Sequence, residues 1–416
     1  MMKALLTSYF VFVFCMVNVF AQNDVNVMLI VRNTGIKILD NGDTIRVFGF
    51  AENLGSQPDV PGVTIYANEG DSVHIDLFNV SQGAPHTIHL HGLDVNQQND
   101  GVPQLSFEVE HMDHGYYHFK APHAGTYLYH CHVESPIHVQ AGMYGLVIIR
   151  PSDGSNTTWN GGPYYHKELS LFMSEIDTVW HSDSVLNHPY DTSLAVTPAP
   201  LPIYNPQFFL VNGSSGQQLI DNSVELNTQA ASRNYIRLTN IGYYGNRVIL
   251  PTALNSKIIA SDGRSLPQVE YTDTVYVYPG ERYGVLAEAD IEFVDSIKIE
   301  YFDLNTYAVK GVEYISVNVS GFNSVEEAVN SKNNLSVSPN PYAEKAIITV
   351  KIVAESLVSI QIIDVKGRLV KDFENAQKAA GIYTYQISNY IETSGIYFVT
   401  LSLDGRVVET QKLIKK

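Results

Sequence analysis

The chain has 416 residues, 45% hydrophobic and 17% charged, enough for two or three globular domains with real cores and too apolar for a disordered chain. Lys plus Arg number 26 against 43 Asp plus Glu, a formal charge of -17, which argues against nucleic acid as a partner. Apolar/polar alternation broken by Gly, Pro and Asn recurs along the whole length and predicts an all-β protein built of sandwich or barrel modules.

In chain order, Met1, Met2 and Lys3 precede an apolar run over residues 4–20 that ends at Val19-Phe20-Ala21, the pattern of a cleaved export signal over residues 1–21. Cys15 lies inside this run behind the large Val13 and Phe14, which disfavours a lipid-anchored cysteine. No later segment reaches the ~18 apolar residues of a membrane span. The first domain is expected over residues 22–151, with strands such as Val73-His74-Ile75-Asp76-Leu77-Phe78 and a final apolar strand at 145–150 stopped by Pro151. Residues 152–162, rich in Ser, Gly, Asn and Thr, read as a linker.

A second domain is expected over residues 163–320, including strand Phe208-Phe209-Leu210-Val211 before an Asn212-Gly213 turn and strand Tyr235-Ile236-Arg237-Leu238. The sequence contains no histidine after His188, so this domain reads as structural or interfacial rather than as a metal site with N/S ligands. A polar joint over 323–334 leads to a C-terminal domain at 333–416, where runs such as Ser359-Ile360-Gln361-Ile362-Ile363-Asp364 alternate as in a small sandwich.

The chemistry concentrates in the first domain. Once the leader is removed, Cys131 is the only cysteine, set in Tyr129-His130-Cys131-His132. A lone thiol in an exported chain has no internal disulfide partner and points to a metal-bound thiolate. His138 and Met143 follow, and Pro85-His86-Thr87-Ile88-His89-Leu90-His91-Gly92 supplies further imidazoles. One thiolate, two imidazoles and a thioether form the ligand set of a blue-copper site. In a strand, His89 and His91 share one face, as do His130 and His132, with Cys131 directed the other way. That arrangement lets the thiolate hold one copper while its neighbours face a second site.

Residues 86–151 resemble the multicopper oxidase family, whose domains have the cupredoxin fold. The resemblance implies a type 1 copper site from His86, Cys131, His138 and Met143. It also implies a type 2 ligand at His89 and type 3 ligands at His91, His130 and His132. The Cys131-to-His138 loop is two residues longer than in typical laccases and approaches that of copper nitrite reductases. Asp100, in Asp100-Gly101-Val102-Pro103-Gln104, matches an acidic residue that assists proton delivery in these oxidases, and it equally suits the first residue of an Asp-Gly turn. Val211-Asn212-Gly213, Ala260-Ser261-Asp262-Gly263 and Pro279-Gly280-Glu281-Arg282-Tyr283 resemble the copper-free middle domain of three-domain oxidases. Ser338-Pro339-Asn340-Pro341, Asp364-Val365-Lys366-Gly367-Arg368 and Ser394-Gly395-Ile396-Tyr397 resemble the type IX secretion sorting domain, implying that machinery as a partner and a secreted or surface-attached protein.

The family's oxygen-reducing cluster takes eight histidines from four His-x-His pairs, and this chain supplies two pairs. Two copies meeting about a two-fold axis, a second protein, or an incomplete cluster in a blue-copper electron carrier each account for the shortfall. The first of these, a homo-oligomeric oxidase using a small reducing substrate and dioxygen, is the expected function. A blue-copper electron-transfer or copper-binding protein with an incomplete cluster, or a copper nitrite reductase-like enzyme, is the alternative. Among the remaining histidines, His111, His114 and His118, in a hairpin about Asp113-His114-Gly115, and His123, just before Ala124-Gly125-Thr126, have the spacing of a secondary metal patch but read better as surface turn residues, and His74, His166, His181 and His188 read as structural.

Overall fold

The computed structural model describes residues 23–187, 201–321, 335–352, 355–379, 381–388, 391 and 393–416. The export signal and His188 lie outside the described residues. The chain divides into two compact units, 1–322 and 323–416. Strands dominate both, as the alternation predicts, in sheets that form β-sandwich domains.

The first sandwich is made of β1 (Asp24–Ile38), β2 (Thr44–Ala51), β3 (Ile65–Asn68), β4 (Ser72–Asn79), β5 (His89–His91), β6 (His114–Lys120), β7 (Gly125–His130) and β8 (Tyr144–Arg150). One sheet has the order β2-β1-β4-β6 and the other β3-β8-β7-β5. In β4 the inward residues Val73, Ile75 and Leu77 are fully buried and alternate with the half-buried His74, Asp76 and Phe78, so the period of two survives intact in a sheet with one wet face. Strands β7 and β8 differ: nearly every residue is buried, because β7 is central in its sheet and has a second sandwich against its outer face. A helix, α1 (Ser135–Ala141), bridges β7 and β8.

The second sandwich packs its own core of residues such as Leu171, Ile236, Val285, Ile299 and Val317. Its strand Arg233–Asn240 is interior, so Tyr235, Ile236, Arg237 and Leu238 are all buried despite their apolar/polar alternation. Arg237 tolerates this because it pairs with Glu168, donates to Thr126 Oγ1 at 2.8 Å, and lies 4.5 Å from the centre of the Tyr235 ring. A shared apolar cluster of Val47, Leu128, Tyr144, Leu146, Phe172 and Ile241 joins the two sandwiches. Glu175, buried beneath it, accepts from the backbone N–H groups of Tyr243 at 3.0 Å and Tyr244 at 2.9 Å.

The second unit has a three-stranded and a four-stranded sheet around Ile348, Val350, Ile360, Ile362, Val399 and Leu401. No helix among the described residues is long and apolar enough to cross a membrane.

One local expectation changes. His111, His114 and His118 do not belong to a hairpin: β6 begins at His114 and pairs antiparallel with β4, and the chain just before it makes a turn through Met112 at φ 63°. The Asp113-His114-Gly115 run therefore marks a strand start, with Gly115 inward against Phe107 and Val109 rather than at a turn tip.

Candidate metal centre

Two donor sets form at one end of the first sandwich. Strand β5 pairs antiparallel with β7, setting His89 opposite His130 and His91 opposite Leu128. Just upstream, His86 exchanges backbone hydrogen bonds with Val109 at 3.1 and 2.9 Å, which fixes its side chain at the bottom of the site. Beyond the end of β7, Thr87 Oγ1 accepts from the His132 N–H at 3.1 Å and Met143 O accepts from the Cys131 N–H at 3.0 Å, so strand-like alternation continues through residues 130–132.

The first set is His86, Cys131 and His138, all buried. Cys131 Sγ lies 3.7 Å from His86 Nδ1 and 3.3 Å from His138 Nδ1. Donors sharing one ion at ~2.3 Å for sulfur and ~2.0 Å for nitrogen stand ~3.5–3.7 Å apart at tetrahedral to trigonal angles, so the spacing fits. His138 is delivered by α1, whose last turn is closed by Gly142 at φ 117°. A side chain at Gly142 would strike Val60 and the Phe48 carbonyl, which makes glycine necessary there. The turn brings Met143, fully buried, back beside Cys131, with its N–H bonded to His138 O at 3.0 Å. His138 Nε2 faces the Glu134 carboxylate at 3.9 Å. Sequence reading did not single out Glu134, whose only local signal is its position four residues before His138.

The second set is His89, His91 and His130, with His132 alongside. His91 Nδ1 and His130 Nε2 are 3.4 Å apart, close to the ~3.3 Å expected of two nitrogens on one tetrahedral ion. The His132 ring centre is 5.3 Å from that of His89 and 6.0 Å from that of His130. Backbone carbonyls orient two of these rings: His89 Nδ1 bonds Asp100 O at 2.8 Å and His130 Nδ1 bonds Cys131 O at 3.0 Å, leaving each Nε2 for a ligand. Asp100 closes the 3-10 turn Gln97–Asn99, its N–H bonded to Gln97 O at 3.3 Å, and is followed by Gly101, at φ 76°, which packs on the Ile88 carbonyl too closely for any Cβ; Asp100 Oδ2 lies 3.6 Å from His89 Nδ1.

The electrostatics suit metal binding. Burial holds His138 and His91 down at about 4, His130 at about 3, and His86 well below the usual imidazole range, so these rings are neutral donors near pH 7. Burial pushes the Cys131 thiol up to about 12, so without a cation beside it the thiolate is suppressed.

The second sandwich reaches this cluster with no imidazole among the described residues. It brings Gly280 and Arg282 instead. A Cβ on Gly280 would stand 3.0 Å from His91 Cε1, and the Arg282 guanidinium packs on Gly92, pairs with Asp262 at 3.1 Å and donates to Gly280 O at 2.6 Å. After burial, the Arg282 charge is the main influence keeping His91 unprotonated. Arg282 lay in a segment matched to a copper-free domain, with nothing in its neighbours to show that it meets His91. Elsewhere, His181 Nδ1 bonds Arg46 O at 2.7 Å and His166 Nδ1 accepts from the Arg233 N–H at 2.9 Å, both structural contacts. His111 bonds Ser81 O at 2.6 Å, and His123 faces Asp94 at 4.0 Å.

Residues 51–154 match the multicopper oxidase family model and residues 336–416 match the secretion system C-terminal sorting domain. An L-ascorbate oxidase of Cucurbita pepo var. melopepo is 28% identical over 258 residues, 57% of this chain and 44% of that protein. A copper-containing nitrite reductase of Neisseria gonorrhoeae is 28% identical over 181 residues, 43% of this chain and 42% of that one. The chain thus spans under half the length of these curated relatives. Among solved structures, a blue copper oxidase from Nitrosomonas europaea shares the fold at TM-score 0.56 and 24% identity, covering 71% of this chain and 86% of that one. The chain therefore carries a multicopper oxidase domain and a sorting domain that marks it for export and for release or attachment at the cell surface.

Proposed function

We propose that this exported protein, an oxidoreductase by its multicopper oxidase domain, is an oxidase that takes single electrons from a small reducing substrate and delivers them to dioxygen. Copper, when bound, supplies one-electron redox chemistry at the first donor set and oxygen chemistry at the second. The observation that carries the reading is the juxtaposition at Cys131: its sulfur faces His86 and His138, while the residues bonded to it on either side, His130 and His132, belong to the other cluster. The polypeptide itself is the electron path between the two sets.

Each residue then has a definite task. His86, Cys131, His138 and Met143 hold the type 1 ion in a dry site, and His89, His91, His130 and His132 hold the type 2 and type 3 ions. Asp100, against His89, positions that ring and relays protons to the cluster. A cleft lined by Arg32, Arg46, Phe48, Glu134, His86 and His138 gives the reducing substrate access to the edge of the type 1 site. The four imidazoles of the second set are half the family complement, and a second copy related by a two-fold axis completes them.

A second reading has its own support. Arg282 and Gly280 stand where the neighbouring sandwich meets the cluster, so within one chain the second set gains no further imidazole from that side, as befits a blue-copper electron carrier. Similarity to a nitrite reductase adds that activity to the candidates. Copper counting, absorption spectroscopy, oligomer mass and oxygen uptake on one preparation decide. The oxidase reading expects a blue band, several coppers per chain, an even-numbered oligomer and oxygen consumption. About one copper per chain with a blue band and no oxygen uptake establishes the carrier, and nitrite turnover without oxygen consumption establishes the reductase.

A further inference from the structure

The outer face of the β2-β1-β4-β6 sheet carries histidines that neither donor set uses. Strands β4 and β6 pair so that His74 stands directly opposite His118, with Asp76 opposite Tyr116 and Phe78 opposite His114. Because Val73, Ile75, Tyr117 and Phe119 point into the core, the period of two turns His74 and His118 outward. Their Nδ1 atoms are 2.7 Å apart, with ring centres 4.9 Å apart and planes inclined at 67°. His74 keeps 38% of its side chain exposed, so the pair is open to ions in solution.

We propose that His74 and His118 form a surface site for a divalent ion of the copper or nickel type, separate from the two buried donor sets. Two nitrogens each ~2.0 Å from an ion are ~2.8 Å apart at a right angle and ~3.3 Å apart at a tetrahedral angle, so the observed spacing suits cis positions of a tetragonal ion better than zinc. The opposite nitrogen of His74 supplies the second indication. Asp24 Oδ1 lies 3.6 Å from His74 Nε2, outside hydrogen-bond distance but within ion-pair range, so a carboxylate charge faces the side of the ring away from the ion, where carboxylates support metal-binding imidazoles. Strand β1 runs parallel to β4 with Asp24 in register with Ser72, which brings the carboxylate to this ring. On the other side, the His118 N–H donates to Asn99 Oδ1 at 2.7 Å, holding β6 in place. Water or a small donor completes the coordination. His114 is engaged separately by Asp76 at 2.7 Å and stacks on Phe78, so it serves as an internal control.

A direct hydrogen bond between two neutral imidazoles also gives a 2.7 Å spacing, and the test separates the two. Copper-loaded full-length protein is titrated with Ni(II) by calorimetry and with Cu(II) by electron paramagnetic resonance. The site predicts one further ion per chain, with a tetragonal nitrogen-ligated Cu(II) signal added to those of the copper-loaded protein before titration and lost in the His74 and His118 variants. His74→Asn and His118→Asn each lower its affinity at least ~10-fold, and Asp24→Asn lowers it by a smaller factor, because that carboxylate acts only through the His74 ring. His114→Asn leaves it unchanged. His118→Gln serves as a second version should the asparagine variant fold poorly, and an unaltered blue band certifies each variant. Absence of the extra ion, its persistence in both His74 and His118 variants, or equal loss in His114→Asn overturns the site and leaves a hydrogen-bonded pair.

Discussion

Cys131 sits in a place where a bare thiolate is unfavourable, since burial pushes its thiol up to about 12. A cation held between it, His86 and His138, as proposed, would make the anion stable there. Cys131→Ser is therefore expected to remove the blue band while leaving the fold intact, as read by absorption and circular dichroism; persistence of the colour would mean the type 1 ligands lie elsewhere. Met143→Leu keeps side-chain volume, so its stability cost should stay below ~1.5 kcal/mol. Under the proposed assignment Met143 would be the weak thioether donor to the type 1 ion, so the reduction potential should rise in that variant, measured by potentiometric titration. Acid sensitivity follows from the same burial. His138 and His91 titrate at about 4 and His130 at about 3 in the folded metal-free protein, below the ordinary 6.5, so the unfolded chain binds more protons in this window. Their contribution to stability is complete above about pH 6.5 and is lost as pH falls through 4 to 3. Melting temperature of the metal-free protein should decline over that range, and a flat profile would show that these rings are not buried neutral.

At the scale of elements, strand β7 and the chain just past it join the two donor sets, and the neighbouring sandwich holds that strand. Arg237 reaches across to Thr126 from its pairing with Glu168. Arg237→Leu leaves Glu168 with Arg150 at 3.2 Å as a remaining partner, so the expected loss is ~3 kcal/mol, at the low end for breaking a buried pair. Urea unfolding reads this, and copper affinity should fall with it because β7 loses its support. The sequence shows some of these relations and hides others for a physical reason. Alternation of His130, Cys131 and His132 is a property of neighbouring residues, so the two-sided reading needs no tertiary information. The register of β4 on β6 is tertiary, and His74 and His118, 44 positions apart, carried no sign that their rings meet. Arg237 likewise looked like the polar partner in an alternating strand, whereas its burial follows from the strand being interior.

For the whole molecule, the candidate donor sets and the sorting domain fall in different compact units. The unit over 323–416 has its own apolar core, and residues 336–416 match the sorting domain. The unit over 1–322 contains both donor sets and the cores of both sandwiches. Units with separate cores change stability independently when no essential contact crosses between them. A chain ended after Phe322 should then keep its blue band and copper content, and its unfolding midpoint should move by no more than ~3 °C, about 1 kcal/mol for a protein of this size. Its location should change instead: fractionation of the producing cells should find it retained inside the envelope, with the full chain on the surface or in the medium. Loss of copper in the truncated protein would show that the sorting domain also supports the metal centre, and unchanged export would show that the leader alone directs the chain outward.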